Sequence, residues 1–208
     1  MITDRGEQRF MRKFMAHILA VLCFAAFLTG CTDSQDTADR TLIELKKNGS
    51  VVHTIVEDFA ESYYDIEELK NAIGQACDTY NETAGKEAVK MESAEVSEGT
   101  ATVVMTYDST QSYSDFNRQA LFAGTVKDAF KAGYDLNVTL FPVKEGEAPI
   151  GKDELLSMGE KKIAIVREAV DVTVWGKIRY LSEDAVPGSK ADTASVTDEN
   201  SLTYILFD

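Results

Sequence analysis

The sequence predicts an α+β fold in which hairpins form a mostly antiparallel sheet and a few helices pack against it. Asn48-Gly49 lies between two β-rich runs, and Gly99 closes a turn between two more. Asn-Gly is a strong signal for a hairpin. The chain lacks a regular strand-helix-strand alternation, which favours antiparallel pairing. We therefore expect a single domain over residues 41–208.

The first hairpin is predicted over 41–47 and 50–59. A helix then begins at Asp65, with Glu68 three residues later as in a capping box. Gly85 ends this region. One face of the helix is apolar, because its apolar residues recur at spacings of three and four: Ile66, Leu69, Ile73, Cys77 and Tyr80.

A second hairpin is predicted over 89–96 and 100–107, joined by a turn at 97–99. Apolar residues alternate along its second strand, as expected for a sheet with one covered face: Ala101, Val103, Met105 and Tyr107. Two short helices are predicted next, over 114–122 and 126–132. Thr125 can cap the second of these helices.

The last third of the chain is rich in predicted strands. Pro142 lies within the first of them, which indicates an edge strand because proline cannot donate to a ladder. The polar residues 183–200 are expected to form a mobile loop. The remaining predicted elements are a helix at 153–158 and strands at 138–143, 163–166, 170–175, 177–181 and 202–207.

Residues 1–30 have the composition of a secretory signal. A basic segment (9–13) precedes an apolar run (15–28) that is too short to span a membrane. The small pair Thr29-Gly30 comes directly before Cys31, and the residues after Cys31 are polar at once. An ordinary signal peptide with an incidental cysteine and an uncleaved anchor are the alternatives.

Leu28-Thr29-Gly30-Cys31 resembles the lipobox of bacterial lipoproteins, the class processed by signal peptidase II. The resemblance implies cleavage between Gly30 and Cys31, diacylation of the Cys31 sulfur, and attachment to the extracytoplasmic face of the cell membrane. Residues 31–40 are then a lipidated N-terminus and flexible tether. With the acidic mature part and the stretch 113–125, the chain resembles uncharacterised lipoproteins of anaerobic Gram-positive bacteria, which implies no activity or substrate.

Charge and cysteine content restrict the function further. The formal net charge of −14 disfavours nucleic acid as a partner. It also disfavours direct attraction to an anionic membrane, so the lipid on Cys31 is the expected attachment. After cleavage only Cys77 accompanies Cys31, and Cys77 is expected to be a small buried apolar residue.

Catalytic and metal-binding motifs are not found. The glycine and lysine spacing at 146–152 is that of a phosphate-binding loop, but Asp153 stands where a hydroxyl is needed. No sequence motif of a serine hydrolase or a zinc site occurs. His53, the one histidine of the mature part, is expected to be a structural or surface strand residue. We predict no catalytic residue, no metal site and no cofactor.

Acidic and aromatic residues are the remaining candidates for a site. A carboxylate cluster lies at the junction of hairpin and helix, and we expect a solvated face that binds divalent cations only adventitiously: Glu57, Asp58, Glu61, Asp65, Glu67 and Glu68. Most aromatic residues are expected in the core, with an exposed binding patch as the alternative: Tyr63, Tyr64, Tyr113, Phe116, Phe122, Tyr134 and Trp175.

These observations predict a lipid-anchored extracytoplasmic protein that acts as a non-enzymatic binding or envelope-scaffolding module. An envelope protein, a glycan or a peptide is the expected ligand. The alternative is a lipid-anchored cell-wall hydrolase that uses a pair of carboxylates. A solute-binding subunit of a transporter is disfavoured, because the chain is too short for two α/β lobes.

Overall fold

The computed structural model describes residues 40–208, and the predictions for the signal segment and for Cys31 lie outside this range. Within residues 40–208 the chain forms two sheets and four helices. The helices are α1 (Ile66–Ala84), α2 (Thr110–Asn117), α3 (Val126–Lys131) and α4 (Lys152–Ser157).

Sheet A contains seven strands: β1 (Leu42–Leu45), β2 (Val51–Asp58), β3 (Val89–Ser97), β4 (Thr100–Tyr107), β8 (Asp171–Thr173), β10 (Ala185–Pro187) and β11 (Thr193–Val196). Their spatial order is β10-β11-β8-β1-β2-β4-β3. Strands β1 and β8 are parallel, and the other neighbours are antiparallel.

Sheet B contains five strands: β5 (Leu121–Thr125), β6 (Phe141–Pro142), β7 (Lys162–Val166), β9 (Ile178–Leu181) and β12 (Thr203–Phe207). Their order is β5-β7-β12-β9-β6, and all neighbours are antiparallel. The predicted preference for antiparallel pairing is therefore confirmed in both sheets.

Sheet B separates two apolar cores. Ile205 and Phe207 of β12 lie in the first core, together with the inward-facing residues of sheet A and Cys77 of α1. Tyr204 and Leu206 lie in the second core, with residues of α3 and α4. Successive side chains of a strand point to opposite faces, so one strand supplies both cores.

Both predicted hairpins of the first half are present. Strands β1 and β2 pair with Leu45 opposite Val51, and Gly49 in the connecting turn has φ 91°. Strands β3 and β4 are joined by Glu98 and Gly99, with φ 51° and 79°. Two successive residues at positive φ match the twist of paired strands.

Helix α1 begins and ends as the sequence predicts. The Asp65 carboxylate accepts hydrogen bonds from the backbone N–H groups of Glu67 and Glu68, at 2.8 and 3.4 Å. Gly85 ends the helix in the left-handed region with φ 68°. The predicted apolar stripe packs in or against the first core.

The helix predicted over 114–122 is placed wrongly. Helix α2 begins four residues earlier, where the Ser109 hydroxyl accepts from the Ser112 N–H at 3.1 Å. Arg118 ends the helix in the left-handed region with φ 59°. Glycine usually occupies such a position, so the sequence gives no sign that the helix ends here. The apolar residues that follow form β5, because they pair with β7 and bury Leu121.

The prediction of a mobile loop over 183–200 is also wrong. Strands β10 and β11 lie in this segment and complete one edge of sheet A. The Gly188 N–H donates to the Thr193 carbonyl at 2.9 Å, and the Ser195 hydroxyl donates to Asp171 at 2.6 Å. The polar residues and Pro187-Gly188 are typical of a loop, and the pairing of β11 with β10 and β8 shows that the segment is part of the sheet. The strand predicted over 138–143 shortens to β6.

Gly188→Ala tests the contact between β10 and β11. A Cβ at Gly188 would lie 2.9 Å from the Thr193 Cβ, so one strand must shift. We expect a loss of about 1–3 kcal/mol in the free energy of unfolding. Urea unfolding followed by the fluorescence of Trp175, the single tryptophan, measures this.

Gly74→Ala is the matched control, because a Cβ at this helical position meets nothing within 4 Å. Alanine should stabilise α1 by about 0.5–1 kcal/mol relative to glycine. Equal effects of the two substitutions would contradict the close approach at Gly188.

Candidate functional site

His53 is a buried polar residue on an interior strand of sheet A. On β2 it pairs with Ile43 of β1 and Met105 of β4, and only 4% of its surface is exposed. Alternation along β2 turns its side chain to the same face as Val51, towards the first core. The prediction that His53 lies in a strand is therefore confirmed, and its side chain is buried rather than at the surface.

Two polar side chains from distant parts of the chain lie next to His53. The ring of Tyr113 on α2 meets the imidazole edge to face at 5.3 Å. Glu168, in the turn between β7 and β8, places Oε1 3.8 Å from His53 Nε2. The Tyr113 hydroxyl donates to Glu168 Oε2 at 2.5 Å. We name these three residues the His53 cluster.

Neither imidazole nitrogen of His53 has a hydrogen-bond partner within the described structure. The 3.8 Å separation from Glu168 is too long for a hydrogen bond. Burial lowers the pKa of His53 from 6.5 to about 4 and raises the pKa of Glu168. The neutral imidazole is thus the stable form in the folded chain at neutral pH.

Further aromatic rings hold Tyr113 in place. Tyr107 of β4 meets Tyr113 edge to face at 5.0 Å, and Phe116 lies 5.9 Å from Tyr107. Burial, and then the nearby charge and hydrogen bond of Glu168, raise the pKa of Tyr113 far above its usual range. Tyr113 is therefore a fixed neutral hydrogen-bond donor to Glu168.

A cavity in the described part of the chain lies away from the His53 cluster. It has a volume of about 230 Å³ and is open to solvent between the second core and the end of sheet B. Lys161 and Arg179 line it, but both pair with the carboxylate of Asp208. The cavity therefore offers no unpaired cation for an anionic ligand.

The carboxylate cluster predicted at the junction of hairpin and helix is exposed along its whole length. Glu57 and Asp58 are successive residues of β2 and point to opposite faces of the strand. Partial loss of hydration, and then the charge of Asp58, raise the pKa of Glu57. The structure does not bring either residue to His53; Glu168 is the carboxylate within 4 Å of its imidazole.

The aromatic candidates divide between core and surface. Tyr63 is 72% exposed, whereas Tyr113 is buried. The others pack against the two cores: Phe116 and Trp175 against the first, Phe122 and Tyr134 against the second. Tyr64 is half-buried and touches Tyr63.

Cys77 is a free, buried cysteine, as predicted. Its surface is 6% exposed, and burial raises the pKa of its thiol. A raised pKa leaves little reactive thiolate at neutral pH.

Sequence reasoning missed Glu168 altogether. Tyr113 was only one aromatic candidate among several, and nothing in the sequence connected it with His53. No local pattern links these residues, because β2, α2 and the β7–β8 turn meet only in the folded chain.

Comparison with protein-family models, curated proteins and solved structures finds no match for this chain. Among residues 40–208, no three histidine, cysteine or carboxylate side chains gather as they would around a metal ion. No helix in the described range has the length and apolar character that crossing a membrane requires.

The stability of the protein should fall as the pH drops from 6.5 to about 4. In this range His53 is protonated in the unfolded chain but stays neutral in the folded chain. Protonation therefore favours unfolding. The pKa difference corresponds to about 3 kcal/mol at the lower end. The raised pKa of Glu168 acts in the opposite direction and offsets part of this loss.

Urea unfolding of the wild type and of His53→Leu across this pH range checks the effect. Leucine cannot titrate and removes two unpaired nitrogens, so the variant should have a flatter profile and no lower stability at pH 7. Parallel profiles for the two proteins would show that His53 does not control the acid response.

Tyr113→Phe should destabilise the protein by about 1–3 kcal/mol, because it leaves the half-buried carboxylate of Glu168 without its donor. Tyr107→Phe is the control, since its hydroxyl makes only a 3.4 Å bond to Asn117. Unfolding free energies from urea titration should show the larger loss for Tyr113→Phe. An equal loss would mean that the bond to Glu168 contributes nothing specific.

Proposed function

We propose that this chain is a lipid-anchored extracytoplasmic binding module without catalytic activity. We infer the lipid anchor from the sequence Leu28-Thr29-Gly30-Cys31, which follows a complete signal segment. Cys31 lies shortly before β1, which begins at Leu42. A tether of this length holds the domain close to the bilayer.

Diacylation of Cys31 gives two acyl chains, and two chains suffice for stable anchoring where one does not. The acidic domain then needs no surface attraction to the membrane. In this proposal Gly30 and Cys31 form the cleavage site, and the lipid on Cys31 is the membrane contact.

The arrangement of the carboxylates supports a binding role. A cell-wall hydrolase needs two carboxyl groups on either side of one glycosidic bond. Glu57 and Asp58 point to opposite faces of β2, and the other members of the predicted cluster lie on an exposed surface. Glu168, the carboxylate beside His53, is half-buried and accepts the hydrogen bond of Tyr113.

The fold supports the same proposal. We assign residues 41–208 to the α+β class as one domain, because the first core joins both sheets and α1. Strands that pair across the chain give a rigid support, and exposed loops on such a support are well suited to recognition.

Metabolic labelling with an alkyne fatty acid tests the anchor. The wild type should incorporate the label and partition with membranes, and Cys31→Ala should lose both properties. Cys77→Ala is the matched control: its thiol is buried, so the label should remain. Label on Cys31→Ala, or none on the wild type, would refute the lipid anchor.

A further inference from the structure

A partly exposed aromatic surface lies between β2 and α1, formed by the exposed Tyr63 and the half-buried Phe59 and Tyr64. Phe59 and Tyr64 stack with their ring centres 4.9 Å apart and their planes at 29°. Tyr63 meets Tyr64 edge to face at 4.8 Å. Because Tyr63 is 72% exposed, most of this ring is open to solvent. We name these three residues the Tyr63 surface.

The backbone that carries the Tyr63 surface is held by hydrogen bonds at both ends. The Phe59 N–H donates to the Gly99 carbonyl at 2.7 Å, which ties the segment to the β3–β4 turn. Asp58 accepts from the Ala60 N–H at 2.9 Å, and Asp65 caps α1. These bonds fix the backbone of the segment before a ligand binds, which lowers the entropy cost of binding.

The charged residues of the segment that carries this surface are acidic. Between Lys47 and Lys70 the sequence contains no lysine or arginine, and its histidine, His53, is buried. Of the carboxylates in this stretch, Glu67 pairs with Lys70 at 2.9 Å. The described structure shows no ion pair for the remaining ones: Glu57, Asp58, Glu61, Asp65 and Glu68.

We propose that the Tyr63 surface binds a lysine- or arginine-rich peptide segment of a partner, with a basic side chain on the face of Tyr63 and others on the flanking carboxylates. This inference rests on the proposed binding function. The face of an aromatic ring attracts a cation, and the carboxylates without ion pairs complement further positive charges.

The charges favour a basic peptide over other ligands of aromatic surfaces. A neutral glycan would gain stacking on Tyr63 but nothing from the net negative field. An anionic ligand would be repelled by the same carboxylates. An extended peptide can reach several carboxylates along the segment at once, which a single small cation cannot do.

Titration of the full chain in an uncharged detergent with a short oligolysine peptide tests the proposal. The peptide should bind, and Tyr63→Ala should weaken binding about threefold to fivefold, as expected for an exposed cation–π contact. Tyr63→Phe keeps the ring face and should bind almost as the wild type does. Phe130→Ala, at an exposed ring on α3, is the matched control and should have no effect.

The contribution of charge is tested separately. Glu61→Gln and Glu68→Gln should each weaken peptide binding, and Glu154→Gln on α4 is the control at an exposed site elsewhere. Raising the NaCl concentration from about 20 mM to about 200 mM should weaken binding, because the Debye length shortens. Urea unfolding of each variant shows that its fold is intact.

Three outcomes would overturn the inference: no binding of oligolysine, equal binding by Tyr63→Ala and the wild type, or tighter binding of a neutral chitooligosaccharide at Tyr63. The last outcome would assign a glycan instead. Binding in detergent does not depend on acylation of Cys31, so the peptide titration and the fatty-acid labelling succeed or fail independently.

Discussion

The burial of β12 on both faces is the constraint on which the described structure depends. All five of its side chains are buried, and the four apolar ones alternate between the two cores. One face therefore requires sheet A as a cover, and the other requires α3 and α4. Since β7 and β9 pair with β12 on either side, the layers of the fold follow from this central strand.

The same packing accounts for the His53 cluster. The parallel pairing of β8 with β1 brings the β7–β8 turn to the inner face of sheet A, where Glu168 meets His53. The carboxylate is satisfied by Tyr113, whereas the imidazole has no hydrogen-bond partner in the described structure. An unpaired buried polar group is costly. Burial also disfavours the protonated imidazole, which links the packing of the cluster to the expected response of the fold to acid.

The proposed recognition surface lies apart from this interior chemistry. The Tyr63 surface is fixed by local bonds to the β3–β4 turn and by the cap of α1. Its exposed ring and flanking carboxylates lie on a hairpin-to-helix connection supported by rigid elements. Binding there requires no opening of the core, which fits a module that recognises partners while its interior stays packed.

Local patterns in the sequence were sufficient for the two early hairpins, the cap of α1 by Asp65 and the burial of Cys77. Alternation, helical spacing and capping involve residues that are neighbours in the chain, so a single sequence displays them. The acidic surface and the lipobox-like motif at Cys31 are local in the same sense.

Only the tertiary structure decided that residues 121–125 form β5, that β10 and β11 replace the expected loop, and that Glu168 lies beside His53. Each depends on a partner strand or side chain far along the chain. Which segments bury one another is set by packing across the whole fold, and no pattern among sequence neighbours records it.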